Sequence, residues 1–142
     1  MLFGKRDRAI SRILIVEDEP LVAFDNENVL GDAGYEVVAT VDSLEDAKAA
    51  LAEHEIDLVL SDISLNGDGD GLDVARAASA KGVPVLFVTG NCPDEARGLG
   101  IGWLAKPYSS KTMRSALDAI DRKLQGKSER RLPSGLTLYE EV

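Results

Sequence analysis

The stretch Ile13-Leu14-Ile15-Val16-Glu17-Asp18-Glu19-Pro20 decides how the rest of the chain is read. Its first half is an unbroken apolar run of strand length. A run that does not alternate fits a strand buried on both faces, as in a parallel sheet. Its second half puts three carboxylates where that strand stops, and a helical pattern follows Pro20.

Working outward, similar runs recur at Tyr35–Thr40, Leu58–Leu60, Val85–Val88 and, more weakly, Ile101–Leu104. Helical patterns separate them. Leu21–Asp32 places Val22, Val29 and Ala33 on one side, and Gly34 follows as a stop. Leu44, Ala47, Leu51 and His54 form the next stripe, with Ser43 as N-cap and Asp46 in a box-like position. Leu72–Ala80 is alanine-rich. Met113, Ala116, Leu117, Ile120 and Leu124 make the last stripe, capped by Ser109 or Ser110 and closed by Gly126. Between Thr89 and Lys106 only Cys92–Gly98 is left for the fourth helical segment, room for barely two turns, and Gly98, Gly100 and Gly102 weaken it further.

The predicted fold is α/β: a doubly wound, five-stranded parallel sheet in the order 2-1-3-4-5 with helices on both faces, the fourth helix short or irregular. Residues 1–11 read as an N-terminal extension, 12–125 as the folded domain and 126–142 as a C-terminal tail. The tail starts polar at Ser128-Glu129-Arg130-Arg131 and reads as a loose end. Leu136 and Leu138 alternate in it, so an arm laid on a sheet edge or on a second protomer stays open.

Composition narrows the function. The chain has 142 residues, one domain's worth, and a net charge of −9, which argues against nonspecific nucleic-acid binding. No long apolar run suggests a membrane span, and the first eleven residues lack the apolar core of a secretory signal. The single cysteine, Cys92, allows no internal disulfide and fits a reducing, cytoplasmic setting. It reads as a loop residue, and His54 as a surface cation at a helix end.

In doubly wound sheets ligands gather at the carboxyl ends of the strands. Those ends carry Glu17-Asp18-Glu19, Ser61-Asp62, Thr89-Gly90-Asn91 and Lys106-Pro107-Tyr108. Carboxylates this close are costly to ionise together, and Mg2+, a hard ion that keeps waters and phosphate oxygens in its shell, relieves that cost. Asp62 can then act as a nucleophile toward a phosphoryl group, with the Lys106 ammonium and the Thr89 hydroxyl stabilising the charge on the transferred oxygens.

The set 13–20, Asp62, Thr89 and Lys106-Pro107 resembles the receiver domain of bacterial two-component response regulators from about Arg12 to Leu124. Phe87-Val-Thr-Gly-Asn91 is similar to the Phe-Ala-Thr-Gly-Tyr signature of a subgroup, many of them stand-alone, with Asn91 in place of the tyrosine. The resemblance implies that Asp62 is the phosphoacceptor and a metal ligand. It implies Asp18 as the direct Mg2+ ligand, Glu17 as a ligand through water, and Ser64 as a ligand through its main-chain carbonyl. Thr89 would be the switch hydroxyl, Lys106 the phosphate-pairing lysine, Trp103 the aromatic switch residue, and the Lys106–Pro107 bond cis. The implied donor is a histidine kinase or histidine phosphotransfer protein, and signalling would pass through contact with a downstream protein. The expected partners include neither nucleic acid nor membrane, and the expected state is a monomer or weak homodimer with no output domain of its own. The loop 63–71 is about one residue longer than the family pattern and lacks its proline.

Three other readings compete. A phosphorylation-independent scaffold or kinase-binding adaptor would not need the full set of site residues. A phosphatase of the haloacid dehalogenase type needs a second aspartate where Ser64 stands. Asn66, Asp68, Asp70 and Gly71 mimic the start of a calcium loop, but its twelfth position is Ala77, which has no carboxylate. The first of these remains as the alternative to a phosphoacceptor.

Overall fold

A computed structural model describes residues 8–127 and 131–139. The order of elements is β1 (Arg12–Val16), α1 (Pro20–Asp32), β2 (Glu36–Val41), α2 (Leu44–Glu53), β3 (Leu58–Ser61), α3 (Gly71–Ser79) and β4 (Val85–Thr89). A 3-10 helix (Asp94–Gly98), β5 (Gly102–Ala105), α4 (Ser110–Leu124) and β6 (Leu136–Leu138) complete it. The strands form one sheet in the order β2-β1-β3-β4-β5-β6. The first five are parallel, and β6 runs antiparallel on β5.

The unbroken apolar runs are buried on both faces, as their composition requires. Ile13, Ile15, Leu58, Leu60, Leu86, Val88 and Leu104 pack with Leu30 of α1 and with Met113, Leu117 and Ile120 of α4. Leu14, Val16, Val59, Val85 and Phe87 point the other way, against Ala47 and Leu51 of α2 and Val74, Ala75 and Ala78 of α3. Side chains alternate across a strand, so each run feeds two cores.

The helix starts follow their caps. Ser43 accepts from the Asp46 backbone N–H, Ser109 from that of Thr112, and Asp70 and Asp73 form a reciprocal capping box. The face of α1 differs from expectation. Ala23, Asn26 and Leu30 are buried, while Val22 and Val29 are only half-buried beside them. A polar residue sits in the buried stripe because Asn26 has a half-buried hydrogen-bond partner, described below.

The fourth helical segment is short and irregular, a single 3-10 helix of five residues. Its missing bulk is replaced from the C-terminal tail. Of the two courses open to that segment, a loose end or an arm on a sheet edge, it takes the second: it supplies β6, a sixth strand beyond the five expected, and Tyr139 just after it joins the core with Phe87 and Ala96. Two glycines permit this. A Cβ on Gly100 would lie 2.5 Å from the Phe87 ring, and one on Gly102 would lie 2.3 Å from the Thr137 carbonyl oxygen. The extension before β1 is also tied in at its described end. Ile10 is fully buried, and the Asp121 carboxylate of α4 accepts from the Ala9 and Ile10 backbone N–H groups at 3.0 and 2.9 Å.

Candidate phosphoryl and metal site

Hydrogen bonding between strands continues one residue past their ends and fixes the rim. Glu17 N–H donates to the Val41 carbonyl, Asp62 N–H to that of Val16, and Lys106 N–H to that of Thr89, at 2.9, 3.0 and 3.0 Å. The side chains that leave β1, β3 and β5 are thereby held over one spot. Carboxylate oxygens of Glu17, Asp18 and Asp62 lie within 4.8 Å of one another, the arrangement expected of a metal-holding group.

The Lys106 ammonium sits between two of them. It donates to Glu17 Oε1 at 2.9 Å and to Asp62 Oδ2 at 2.8 Å, with Glu19 Oε1 at 3.8 Å. The Glu17 side chain is almost wholly buried and that of Lys106 largely so. Burial raises the pKa of Glu17, and Lys106 works against that rise. For Lys106 burial opposes the charge, but its hydrogen bonds to Asp62 and Glu17 and their charges more than offset it, and its pKa is raised. The lysine is therefore a fixed cation. The remaining Asp62 oxygen, Oδ1, accepts from the Ile63 backbone N–H at 2.6 Å, which orients the carboxylate.

Thr89 ends β4 on the same rim, buried, but its hydroxyl faces its own loop. It donates to the Asn91 carbonyl at 3.3 Å and accepts from the Asn91 N–H at 3.4 Å. Ser64 lies in the bend after Asp62 with an exposed side chain. Trp103 is not part of the rim. It is half-buried within β5, next to the edge strand, opposite Phe87 on one side and Thr137 on the other. The Lys106–Pro107 peptide is cis, as the resemblance implies.

The loop after β3 is held by glycine. Gly71 N–H donates to the Ile63 carbonyl at 2.7 Å, and a Cβ on Gly71 would lie 2.0 Å from the Asp62 carbonyl oxygen. The longer loop also reaches across to the β2–α2 connection, where Asn66 pairs with Ser43 in an isolated bridge.

Two contacts near the site lay outside the sequence reading. Tyr108 OH donates to Asn26 Oδ1 at 2.8 Å, joining the turn after Lys106 to α1. A polar residue spaced with Ala23 and Leu30 was the available signal. Cys92, two residues after Gly90, touches Tyr139, with 3.4 Å between its sulfur and the hydroxyl oxygen. Only an aromatic following two alternating leucines hinted at that.

Comparison with known proteins agrees with this geometry. The family model for the response regulator receiver domain matches residues 13–118. The two-component response regulator PhoP of Pseudomonas aeruginosa is 33% identical over 122 residues, covering 81% of this chain and 53% of that protein. The transcriptional regulatory protein PdtaR of Mycobacterium tuberculosis is 30% identical over 118 residues, covering 78% and 57%. The chain thus spans about half the length of these relatives. Among solved structures, the signal receiver domain of a modulated diguanylate cyclase from Desulfovibrio desulfuricans G20 superposes with a TM-score of 0.73 at 29% identity, covering 82% of this chain and 97% of that one. The receiver domain of a sensor histidine kinase from Pseudomonas aeruginosa PAO1, solved with magnesium in its active-site cleft, gives 0.68 at 25% identity, covering 82% and 98%. With a family match over most of its length and the acidic cluster at the strand ends, the chain belongs to the response regulator receiver domain family.

Proposed function

We propose that this receiver accepts a phosphoryl group on Asp62 from a histidine kinase or histidine phosphotransfer protein and passes the signal on by protein contact. The observation that carries the reading is the place of Asp62: clustered with Glu17 and Asp18, and 2.8 Å from the Lys106 ammonium. The donor set is all oxygen, which fits Mg2+ rather than a softer ion. Asp18, Asp62 and the Ser64 carbonyl would hold it directly, and Glu17 through water. When bound, the ion neutralises charge on the phosphoryl oxygens. The magnesium ion in the active-site cleft of the kinase receiver supports Mg2+ as the ion.

In the transfer, an Asp62 carboxylate oxygen attacks phosphorus, a P–O bond forms, and the P–N bond to the donor imidazole breaks. The imidazole leaves and takes up a proton. Lys106 gives up its bond to Asp62 Oδ2 and pairs with the new phosphoryl oxygens, and Thr89 turns from Asn91 to do the same. The chain acts only on its own Asp62, in phosphorylation and in loss of the group. Leu21 and Phe24 stand out from α1 at 80% and 58% exposure, directly after the acidic run, where a docking donor would meet them.

The test is to incubate the protein with Mg2+ and labelled acetyl phosphate and map the label that alkali and hydroxylamine release. Asp62 should carry it, and a chelator or Asp62→Ala should remove it. Equal labelling of Asp62→Ala would overturn the assignment.

A further inference from the structure

The wall built by β6 and Tyr139 touches the same loop that Thr89 holds. Thr89 exchanges two hydrogen bonds with Asn91, the next residue is Cys92, and its sulfur contacts the Tyr139 hydroxyl. Tyr139 is buried against the sheet and packs in the core that includes Phe87 and Ala96, with Trp103 against it. The Arg97 guanidinium lies 5.3 Å from the centre of its ring. So one aromatic side chain meets the loop that follows β4, the 3-10 helix and the sheet.

We infer that β6 with Tyr139 is a phosphorylation-responsive strap, docked on β5 while Thr89 faces Asn91 and released when Thr89 turns toward the phosphoryl group on Asp62. The inference rests on the reading of Asp62 as phosphoacceptor.

Three features make the strap releasable. It is only three residues long, paired as Gly102 with Leu138, Trp103 with Thr137 and Leu104 with Leu136. Its ends are marked by two backbone bonds, Ala105 N–H to the Gly135 carbonyl and Tyr139 N–H to the Ile101 carbonyl, each 2.9 Å. Short edge elements held by few buried side chains open locally at lower free energy than the rest of a domain. Second, its polar contact with the switch loop is made by the Tyr139 hydroxyl, so a shift of Asn91 and Cys92 acts on it directly. Third, Gly102 brings the β6 backbone so close that the fit tolerates little displacement. Release uncovers the edge of β5 and the Phe87–Trp103 face together. The phosphorylated state then presents a strand edge flanked by aromatics, which suits an added strand from a partner.

Hydrogen exchange on the full chain tests this. The amides of Ala105 and Tyr139 are followed with Mg2+ alone and with Mg2+ plus beryllium trifluoride, a phosphoryl mimic. Fluorine NMR reports separately whether the mimic occupies Asp62. With the mimic bound, both amides should exchange about tenfold faster or more, and the fluorescence of Trp103, the single tryptophan, should change. Tyr139→Phe keeps the ring and removes the hydroxyl. It should bind the mimic normally yet lose most of the change in exchange. If the mimic does not bind, the phosphoacceptor reading falls. If it binds and the two amides keep their protection, the strap is wrong while that reading stands. If Tyr139→Phe responds as fully as the parent chain, the hydroxyl link is wrong.

Discussion

Gly71→Ala adds one methyl group at a place where the structure has no room for it. The new carbon would sit 2.0 Å from the Asp62 carbonyl oxygen, 2.8 Å from Ile63 Cα and 2.9 Å from the Asp62 carbonyl carbon. All three obstacles are backbone, so no rotamer change relieves the clash. Either α3 moves off or the Asp62–Ile63 peptide moves away, by about 1 Å or more for an ordinary contact. Overpacking of this kind costs about 1–3 kcal/mol, and a backbone obstacle puts it toward the upper end. For a domain of this size that lowers the melting temperature by roughly 5–10 °C. The same peptide carries the Ile63 N–H that orients Asp62 Oδ1. A 1 Å displacement of a reacting group costs roughly a hundredfold in rate. Thermal unfolding followed by circular dichroism reads the first effect, and labelling by acetyl phosphate well below the melting temperature reads the second. A variant as stable as the parent and labelled at the parent rate would refute the idea that this glycine seats the proposed phosphoacceptor, Asp62.

Gly31→Ala is the counterpart in open space: nothing lies within 4 Å of its added Cβ and the site is helical, so stability should rise by about 0.5–1 kcal/mol in urea denaturation. Asp121→Ala strips the acceptor from the Ala9 and Ile10 N–H groups, one of them buried. The expected loss is about 1–3 kcal/mol by the same assay, with phosphorylation at Asp62 unchanged. The Tyr35 phenol is pushed up to about 12 by burial. The unfolded chain therefore releases this proton first, from about pH 10, and stability falls as pH rises from there toward 12. Tyr35→Phe should flatten that part of a melting-temperature profile, and an unchanged slope would rule Tyr35 out as its source.

The parts of the fold legible in the sequence are those with long local signals. Five apolar runs gave five parallel strands, and their charged ends converge because a doubly wound sheet sends every strand the same way. Glu17, Asp18, Asp62 and Lys106 meet for that reason alone. What stayed hidden depends on partners distant in sequence. Leu136 and Leu138 form too short a pattern to declare a strand, and its edge is supplied by Gly102–Leu104. Asn26 carries no local signal of burial; its partner Tyr108 comes from the far side of the chain. By propensity Gly100 and Gly102 only weaken a helix. Their role is to let Phe87 and the β6 backbone approach, which no local propensity encodes. Ile10, placed in an extension, is core because α4 supplies Asp121 to hold its backbone.

The position of β6 also bears on how the chain is made. Synthesis runs from β1 onward, so β5 emerges before α4, and the strand that pairs with it comes after both. Until then the growing polypeptide holds β5 as a bare border, with Trp103 in it and unpaired amides along it. Such borders template pairing between neighbouring nascent chains. Slowing translation between Leu124 and Leu136 would lengthen that exposed interval, and the yield of soluble protein from a cell would register it before any assay of the finished molecule.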